Sequence, residues 1–271
     1  METGLRDKVV VITGAGSGIG AASARAFAAE NARLALLDRD RHGLDRHGLD
    51  ILAKELEQVT EVHCAVADLS TATGVTGSLD EVLDPYDGRL DVLFNNVGAG
   101  SLGTFDSLTD TDWVSTLELN FLSQVRAATH VLPAMRAAGR GVIVNNASDL
   151  GRQPIAAGPD YAASKAAILS FTSSLAISEG PLVRVNAVAP GPILSPMWLM
   201  EGGLADTFAA VHGVHRDESI DVEMKHRGLP LQRIGTPEEV ANVVVFLASD
   251  LASYVTSSVY GVDGGSFRSI T

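Results

Sequence analysis

Short apolar runs alternate along this chain with longer segments whose apolar residues recur at helical spacing. Most of the short runs are continuously apolar, which is typical of strands covered on both faces. We predict strands at residues 9–12, 33–37, 61–66, 90–94, 141–145, 183–188 and 259–262. The clearest predicted helices are residues 19–30, 110–135, 161–178 and 237–248. This alternation predicts parallel strands joined by right-handed crossovers, and therefore an α/β fold with a doubly wound sheet.

We expect one domain over residues 1–271, because no linker divides the chain. Two segments interrupt the pattern. A five-residue motif that begins at Arg41 is repeated at once. We interpret it as a lengthened surface turn and predict no metal, although His42 and His47 leave a metal site as the alternative. The segment 192–230 mixes apolar with charged residues, which favours a mobile substrate lid over a packing or oligomer contact.

The composition and charge of the chain mainly exclude certain classes of protein. The chain has 271 residues, 46% of them hydrophobic, which suffices for one large core. A formal net charge of −13 repels phosphate backbones, so nucleic acid is not an expected partner. No apolar run approaches the roughly 18 residues of a membrane span, and the first residues lack the apolar core of a signal peptide. With a single cysteine, Cys64, these features lead us to expect a cytoplasmic protein.

A glycine-rich stretch joins the first predicted strand to the first predicted helix. It consists of Thr13-Gly14-Ala15-Gly16-Ser17-Gly18-Ile19-Gly20. Glycine lets the backbone turn sharply and approach a pyrophosphate, and the amide groups and dipole at the helix start favour the anion. A purely structural turn is the alternative, but a strand before it and a helix after it favour a dinucleotide site. The residues assigned to the cofactor are Gly14, Ser17, Gly18, Ile19 and Gly20.

The end of the second predicted strand carries the candidate for cofactor selection. A carboxylate at Asp38 can accept both ribose hydroxyls of an adenosine and would repel a 2′-phosphate. We therefore predict NAD as the cofactor. Two alternatives stay open: the adjacent Arg39 could meet the phosphate of NADP, or Asp38 could be an ordinary turn residue at a strand end.

Two further strand ends supply weaker cofactor candidates. Asp68 and Leu69 follow the third strand, where Asp68 could accept a hydrogen bond from the adenine amino group. Aspartate after a strand is also ordinary turn chemistry. After the fourth strand, Asn95 can tie neighbouring strand ends together, and Gly98 leaves room for the cofactor.

Tyr161 and Lys165 are spaced so that they share one face of a predicted helix. Tyrosine has an ordinary pKa of about 10, and a nearby ammonium group lowers that pKa by stabilising the phenolate. Tyr161 could then exchange a proton with an alcohol or an alkoxide, and Lys165 could also hold the nicotinamide ribose. A half-buried tyrosine and a solvated lysine are the alternative interpretation of the pair by itself.

Two more polar residues complete the candidate catalytic set. Ser148 follows the fifth strand, and its hydroxyl could share the charge of a substrate oxygen. Asn120 lies on the preceding helical pattern, where it could anchor a water that relays protons through Lys165. Because an isolated helical asparagine is usually a surface residue, the assignment of Asn120 depends on the rest of the set.

These motifs together resemble the short-chain dehydrogenase/reductase family. Besides the glycine-rich turn, the matching pieces are Asp68, Asn95-Asn-Val-Gly98, Asn120, Ser148, Tyr161-Ala-Ala-Ser-Lys165, Asn186-Ala-Val-Ala-Pro-Gly191 and Val262-Asp-Gly-Gly265, in the family's order. The resemblance implies a Rossmann-type fold with a seven-stranded parallel sheet in three α/β/α layers, and usually a homotetramer. It implies a catalytic set of Asn120, Ser148, Tyr161 and Lys165. It also implies that the nicotinamide amide is wrapped by Pro190, Gly191, Ile193 and Ser195.

Departures from the family pattern are small and remove no catalytic group. They are Val97 for an alanine, Ser195 for a threonine and Ser257 for a glycine.

Two acids, Asp149 and Asp160, flank catalytic candidates in the sequence. They would disfavour anionic substrates if they faced the site, but we expect them to cap helix or loop ends at the surface.

We therefore predict an NAD-dependent oxidoreductase that interconverts a secondary alcohol and a ketone by hydride transfer, with Tyr161 as acid and base. The alternatives are a non-catalytic NAD-binding regulator, a 3-oxoacyl-thioester reductase preferring NADP, and a lyase of the halohydrin-dehalogenase type. The intact glycine-rich turn and Lys165 argue against the lyase. The expected partner is a medium-sized, partly apolar alcohol or ketone, because the segment 192–230 contains Met197, Trp198, Met200, Phe208 and His212.

Overall fold

The computed structural model describes residues 1–39, 44–100 and 103–268, and residues 44–47 without their side chains. The strands are β1 (Val9–Thr13), β2 (Arg33–Asp38), β3 (Val62–Val66), β4 (Val92–Asn95), β5 (Gly141–Asn146), β6 (Val183–Pro190) and β7 (Val259–Val262). They form one parallel sheet in the order β3-β2-β1-β4-β5-β6-β7. The strand order reverses between β1 and β4, where sheets of this kind bind ligands at their carboxyl ends.

Helices cover both faces of the sheet, which confirms the predicted three-layer α/β fold. They are α1 (Gly18–Ala29), α2 (Leu44–Leu56), α3 (Ala72–Leu83), α4 (Asp110–Leu117), α5 (Ser123–Ala138), α6 (Pro159–Glu179), α7 (Pro196–Leu199), α8 (Leu204–His212), α9 (Arg216–His226) and α10 (Pro237–Ala248). Alternate residues of β1 point to opposite faces. Val10 and Ile12 belong to the core under α1, α2 and α10, whereas Val9 and Val11 belong to the core under α3 and α5. Burial on both sides explains why the strands are apolar without alternation.

One predicted helix is interrupted in the structure. Residues 110–135 form α4 and α5, which are joined by a π-helical turn at Glu118–Leu122. A π turn inserts one extra residue into a helix, frequently at functional sites, and it leaves the apolar periodicity almost unchanged. The start of α10 is as predicted, because Thr236 and Glu239 form a capping box and Pro237 is the first helical residue.

The described residues can be searched for a metal site and for a membrane-spanning helix. The repeated motif that begins at Arg41 falls largely on residues 40–43 and on the side chains of 44–47, which lie outside the described part of the chain. Among the described residues, no group of three or more metal-ligating side chains occurs. Within that same part of the chain, no helix is both long and apolar enough to cross a membrane.

Candidate active site

The glycine-rich turn between β1 and α1 is shaped by close backbone packing. Gly14 and Gly18 have φ angles of 67° and 51°, in the left-handed region that favours glycine. A Cβ atom on Gly20 would lie 2.0 Å from the carbonyl oxygen of Gly14. Helix α1 begins at Gly18 with no side-chain hydrogen bond from Ser17, its N-cap residue. The first amide groups of α1 are therefore available to an external anion.

The end of β4 is tied to this turn by residues that the sequence analysis did not select. Thr13 Oγ1 accepts hydrogen bonds from the amides of Asn96 and Val97, at 2.9 and 3.0 Å. Asn96 Nδ2 donates to the carbonyl oxygens of Thr13 and Gly14, both at 3.0 Å. Asn146 Nδ2 donates to Asn96 Oδ1 at 2.9 Å. The only sequence signal for this role was the doubled asparagine after the strand.

Asn95 plays the supporting part that the sequence suggested, and it does not face the open edge. Its Nδ2 donates to Asn145 Oδ1 at 3.0 Å, which ties β4 to β5. The residue has no exposed surface. A fully buried residue cannot touch a cofactor, so its assignment as a cofactor contact is wrong. Successive strand residues alternate in direction, and it is Asn96 that lies beside the glycine-rich turn.

The acids assigned to the adenosine half occupy the ends of β2 and β3. Asp38 Oδ2 accepts a hydrogen bond from the amide of Gly16 at 2.6 Å, so this carboxylate lies against the glycine-rich turn. Asp68 is exposed and accepts two hydrogen bonds from Ser70, one from its amide and one from its hydroxyl, at 2.9 and 2.7 Å. Leu69 is buried. Asp68 thus has a local turn role whether or not a cofactor is bound.

Tyr161 and Lys165 lie one turn apart on α6, as predicted; Tyr161 is partly exposed, whereas Lys165 is enclosed by protein. Lys165 is 2% exposed, its Nζ donates to the carbonyl oxygen of Asn146 at 2.8 Å, and it lies 5.4 Å from the centre of the Tyr161 ring. Burial lowers the pKa of Lys165 to about 7. The alternative of a solvated lysine is therefore wrong.

The pKa of Tyr161 differs from the sequence expectation. Burial raises it to about 12, the nearby Ser148 hydroxyl works in the opposite direction, and the Asp149 carboxylate adds to the rise. From the sequence, Lys165 was expected to lower this pKa. In the protein by itself, removal of the phenolate from water is the larger effect.

Ser148 lies close enough to Tyr161 for its hydroxyl to lower the pKa of the phenol, so the structure brings these two catalytic candidates together. Ser148 precedes a short turn at Asp149–Gly151. Its Oγ accepts from the amide of Leu150 at 3.2 Å and donates to Asp149 Oδ1 at 3.1 Å. The serine hydroxyl is therefore held in one position beside the phenol.

Asn120 belongs to the same cluster but is fully buried in the π-helical turn. Its Oδ1 accepts from the amide of Ala99 at 2.9 Å, and its Nδ2 donates to the Ala99 carbonyl oxygen and to Ser164 Oγ at 2.8 and 3.0 Å. These bonds use both protons of the side-chain amide, so a water could bind this side chain only through the second lone pair of Oδ1.

The loop after β4 runs directly against the candidate catalytic side chains. A Cβ atom on Gly98 would lie 3.1 Å from Asn120 Oδ1 and 3.3 Å from Lys165 Nζ. A Cβ atom on Gly100, which the sequence analysis did not select, would lie 2.7 Å from the Tyr161 ring. Glycine at both positions lets the loop approach the site.

The expectation that Asp149 and Asp160 lie at the surface is wrong. Their exposed fractions are 7% and 1%. Asp160 Oδ2 accepts from the hydroxyl of Thr116 at 2.6 Å, which links α6 to α4. Asp149 contacts Ser148 directly. Both carboxylates have hydrogen-bond donors inside the protein, which sequence position alone did not reveal.

The segment assigned to the nicotinamide leaves the carboxyl end of β6. The amide of Gly191 donates to the carbonyl oxygen of Val262 at 3.1 Å. Ile193 is 9% exposed and pairs with Gly235, and Ser195 is the N-cap residue of α7. Pro190 is the last residue of β6. The four assigned residues thus form one connected stretch between the sheet and the segment 192–230.

The segment 192–230 contains three helices, α7, α8 and α9, with a small core of their own. Trp198, Met224 and Leu229 are buried in it, and the rings of Trp198 and Phe208 stack at 5.7 Å. Met197 and Met200 are 45% and 57% exposed. The segment is therefore an ordered helical insertion, and exposed methionines remain on its surface.

Comparison with known proteins gives consistent matches over the whole chain. A family model described as enoyl-(acyl carrier protein) reductase matches residues 14–266. Levodione reductase from Leifsonia aquatica is 35% identical over 265 residues, which cover 97% of this chain and 95% of that protein. A 3-oxoacyl-[acyl-carrier-protein] reductase from Thermotoga maritima is 35% identical over 266 residues, covering 96% and 98%.

Solved structures agree with the sequence matches. The crystal structure of L-sorbose reductase from Gluconobacter frateurii, complexed with NADPH and L-sorbose, has a TM-score of 0.89 and 34% identity, with 100% of both chains covered. These relatives are reductases, and the motifs of the glycine-rich turn and the catalytic cluster occur here in one site. The protein is an NAD(P)-dependent oxidoreductase that acts on CH–OH groups and the corresponding carbonyls. The chain belongs to the short-chain dehydrogenase/reductase family.

Proposed function

We propose that the enzyme interconverts a secondary alcohol and a ketone with NAD as its cofactor and Tyr161 as its acid and base. The observation that carries this proposal is the cluster of Ser148, Tyr161 and Lys165, in which the Lys165 amino group lies 5.4 Å from the centre of the phenol ring and the Ser148 hydroxyl lowers the pKa of the phenol. This cluster lies at the carboxyl edge of the sheet, beside the loop that follows β4. Position and chemistry both suit proton transfer to a substrate oxygen.

The residues of the site fit a dinucleotide. The start of α1 has no side-chain cap, and among the described residues no atom would lie within 4 Å of a Cβ atom on Gly18, so an external group can approach the turn there. A nicotinamide dinucleotide would supply or accept the hydride. We propose that it is held by Gly14, Ser17, Gly18, Ile19, Gly20, Asp38, Asp68, Leu69, Gly98, Tyr161, Lys165, Pro190, Gly191, Ile193 and Ser195. Asn95 and Asn96 would support these contacts through the strand ends.

Proton transfer would depend on two hydroxyl groups. Because its pKa is raised to about 12, Tyr161 carries its proton at neutral pH and can donate it to a carbonyl oxygen that becomes an alkoxide. Ser148 would donate a second hydrogen bond to that oxygen and share its charge. Lys165, fixed by the Asn146 carbonyl oxygen, would position the phenol ring and the cofactor ribose. Asn120 would hold the loop after β4 in place.

We expect NADH to be used better than NADPH, because the Asp38 carboxylate lies against the glycine-rich turn and would repel a 2′-phosphate. Asp38→Asn should raise kcat/KM with NADPH about tenfold relative to NADH, since like charges in contact cost more than 1 kcal/mol. Asp84→Asn, which removes an exposed acid after α3, is the matched control for the change in net charge. A wild-type enzyme that prefers NADPH would contradict the assignment of NAD.

We also propose that residues 1–271 form one catalytic domain, that 192–230 acts as a substrate lid, and that copies assemble as a homotetramer. Exposed apolar side chains on α4 and α6, Val114 and Ile177 at 58% and 80%, are suited to contacts between subunits. Light scattering coupled to gel filtration measures the assembly. A cytoplasmic location stays a prediction from the sequence.

A panel of ketones tests the reaction. Purified protein is mixed with NADH or NADPH, and cofactor oxidation is followed by absorbance with levodione, L-sorbose and a 3-oxoacyl thioester. We expect turnover with at least one ketone and, in reverse, reduction of NAD by its alcohol. Tight NAD binding without turnover over a broad panel would contradict the proposal and favour a nucleotide-binding regulator.

A further inference from the structure

We infer that Asp149 is a positioning residue that competes with the substrate oxygen for the hydroxyl proton of Ser148, and that Ser266 holds it in place. The inference rests on the proposed role of Ser148 in the reaction. From the sequence, Asp149 was expected to be a cap at the surface, whereas the structure places its carboxylate in contact with the serine.

The competition follows from counting protons on Ser148. A hydroxyl group has one proton to donate and two lone pairs that accept. Ser148 Oγ donates to Asp149 Oδ1 at 3.1 Å, because an ionised carboxylate can only accept. The amide of Leu150 donates to the same hydroxyl at 3.2 Å. While this arrangement holds, the proton of Ser148 is not available to a carbonyl oxygen of the substrate.

The carboxylate of Asp149 is fixed from its other side by the C-terminal segment 263–268. Ser266 Oγ donates to Asp149 Oδ2 at 2.8 Å. Asp149 is 7% exposed, so these hydroxyl groups replace solvent as its hydrogen-bond donors. With one hydroxyl on each oxygen, the carboxylate cannot turn away from Ser148 without losing a buried hydrogen bond.

The same C-terminal segment contacts the end of the proposed lid. The amide of Leu231 donates to the carbonyl oxygen of Gly264 at 3.2 Å. A Cβ atom on Gly265 would lie 2.6 Å from Pro230. Arg268 donates to the carbonyl oxygen of Gly228. One short segment therefore connects the lid with the acid that holds the proposed catalytic serine.

Charges around Asp149 act on its ionisation. Burial raises its pKa, the hydrogen bonds from Ser266, Ser148 and Leu150 lower it, and the carboxylate of Asp263 after β7 raises it. On α6, Tyr161 is neutral at neutral pH and Lys165 is bonded to Asn146. Arg152, which directly follows the turn at Asp149–Gly151, donates to the carbonyl oxygen of Val259 at 3.2 Å and lies 5.0 Å from the Phe267 ring centre.

Protonation of Asp149 would end the competition. A carboxylic acid is a weaker acceptor than a carboxylate, and it can itself donate to Ser148 Oγ. The proton of Ser148 then becomes available to the substrate. The KM of a ketone should therefore fall as pH falls through the pKa of Asp149 and rise again above that pKa.

Asp149→Asn tests this directly, because an amide oxygen competes less strongly than a carboxylate for the same proton. With NADH and levodione, or L-sorbose if it is turned over faster, we expect KM for the ketone at neutral pH to fall about three- to tenfold, the equivalent of one hydrogen bond. The dependence of KM on pH that is assigned to Asp149 should disappear, and kcat should change less than KM.

Ser266→Ala is the second variant, and it leaves Asp149 in place. It removes one of the hydrogen bonds that favour the carboxylate, so the pKa of Asp149 should rise and the inflection in KM should move to higher pH. The control is Asp91→Asn, which alters a buried carboxylate at the amino end of the sheet that accepts from the amide of Val9. It should lower Tm and leave the pH profile of KM unchanged.

Each result decides the inference. An Asp149→Asn enzyme with the wild-type KM and pH profile overturns it, as does a Ser266→Ala enzyme whose inflection does not move. If Asp149→Asn does not fold, the Ser266→Ala profile alone decides. Failure here is separable from failure of the proposed function, because loss of activity in Tyr161→Phe tests the reaction without involving Asp149.

Discussion

Replacement of Tyr161 by phenylalanine is expected to lower kcat for ketone reduction by about a thousandfold, within the usual range for loss of a general acid. The substitution removes the hydroxyl that lies near Ser148 and keeps the ring on which Lys165 and Gly100 pack. Affinity for NADH should therefore change by no more than a few fold. Steady-state kinetics give kcat, and quenching of protein fluorescence gives the Kd for NADH.

The matched control is Tyr86→Phe. The Tyr86 side chain is also buried, and its hydroxyl donates to the carbonyl oxygen of Leu34 at 3.1 Å, among residues of the sheet core. Loss of that hydrogen bond should lower the free energy of unfolding by about 1 kcal/mol and leave kcat unchanged. Substantial ketone reduction by Tyr161→Phe would refute the assigned acid, whatever the control does.

The fold was predictable because its determinants are local and repeat along the chain. Strands β1, β2, β4, β5 and β6 are mostly buried on both faces, so they appear in the sequence as short apolar runs. The ends of the strands were placed within about two residues. The π-helical turn at Glu118–Leu122 was missed because one inserted residue barely alters the apolar spacing of a long helix. The helices of the segment 192–230 were missed for another reason. Their apolar residues form a small separate core, so their pattern is weak.

The grouping of the candidate catalytic residues was predictable from spacing and order, whereas their electrostatics were not. Ser148 follows β5, Tyr161 and Lys165 share one face of α6, and the π-helical turn brings Asn120 against Ser164. Their pKa values depend on burial, which no local pattern reports. That is why Asp149 was expected to lie at the surface, whereas it is buried. Which of Asn95 and Asn96 reaches the glycine-rich turn depends on the face of β4 that each occupies.

The second large effect is expected at Gly20, where Gly20→Ala should weaken NADH binding by more than about tenfold and lower the free energy of unfolding by about 1–3 kcal/mol. The added Cβ would lie 2.0 Å from the carbonyl oxygen of Gly14 and 2.8 Å from Asn96 Nδ2. Because the nearest atom belongs to the backbone, the glycine-rich turn must move, and the two hydrogen bonds of Asn96 move with it. Alanine's better helix propensity, about 1 kcal/mol, is too small to compensate.

Gly77→Ala provides the internal comparison, because the same atom is added to an exposed position in α3 where it would meet nothing within 4 Å. There only the helix propensity acts, so the free energy of unfolding should rise by roughly 0.5–1 kcal/mol with unchanged NADH affinity. Urea denaturation should show a lower free energy of unfolding for Gly20→Ala and a higher one for Gly77→Ala. NADH titration should show weaker binding for Gly20→Ala only. If Gly20→Ala instead matched Gly77→Ala in both measurements, the close contact between α1 and the turn would not be what shapes the cofactor site.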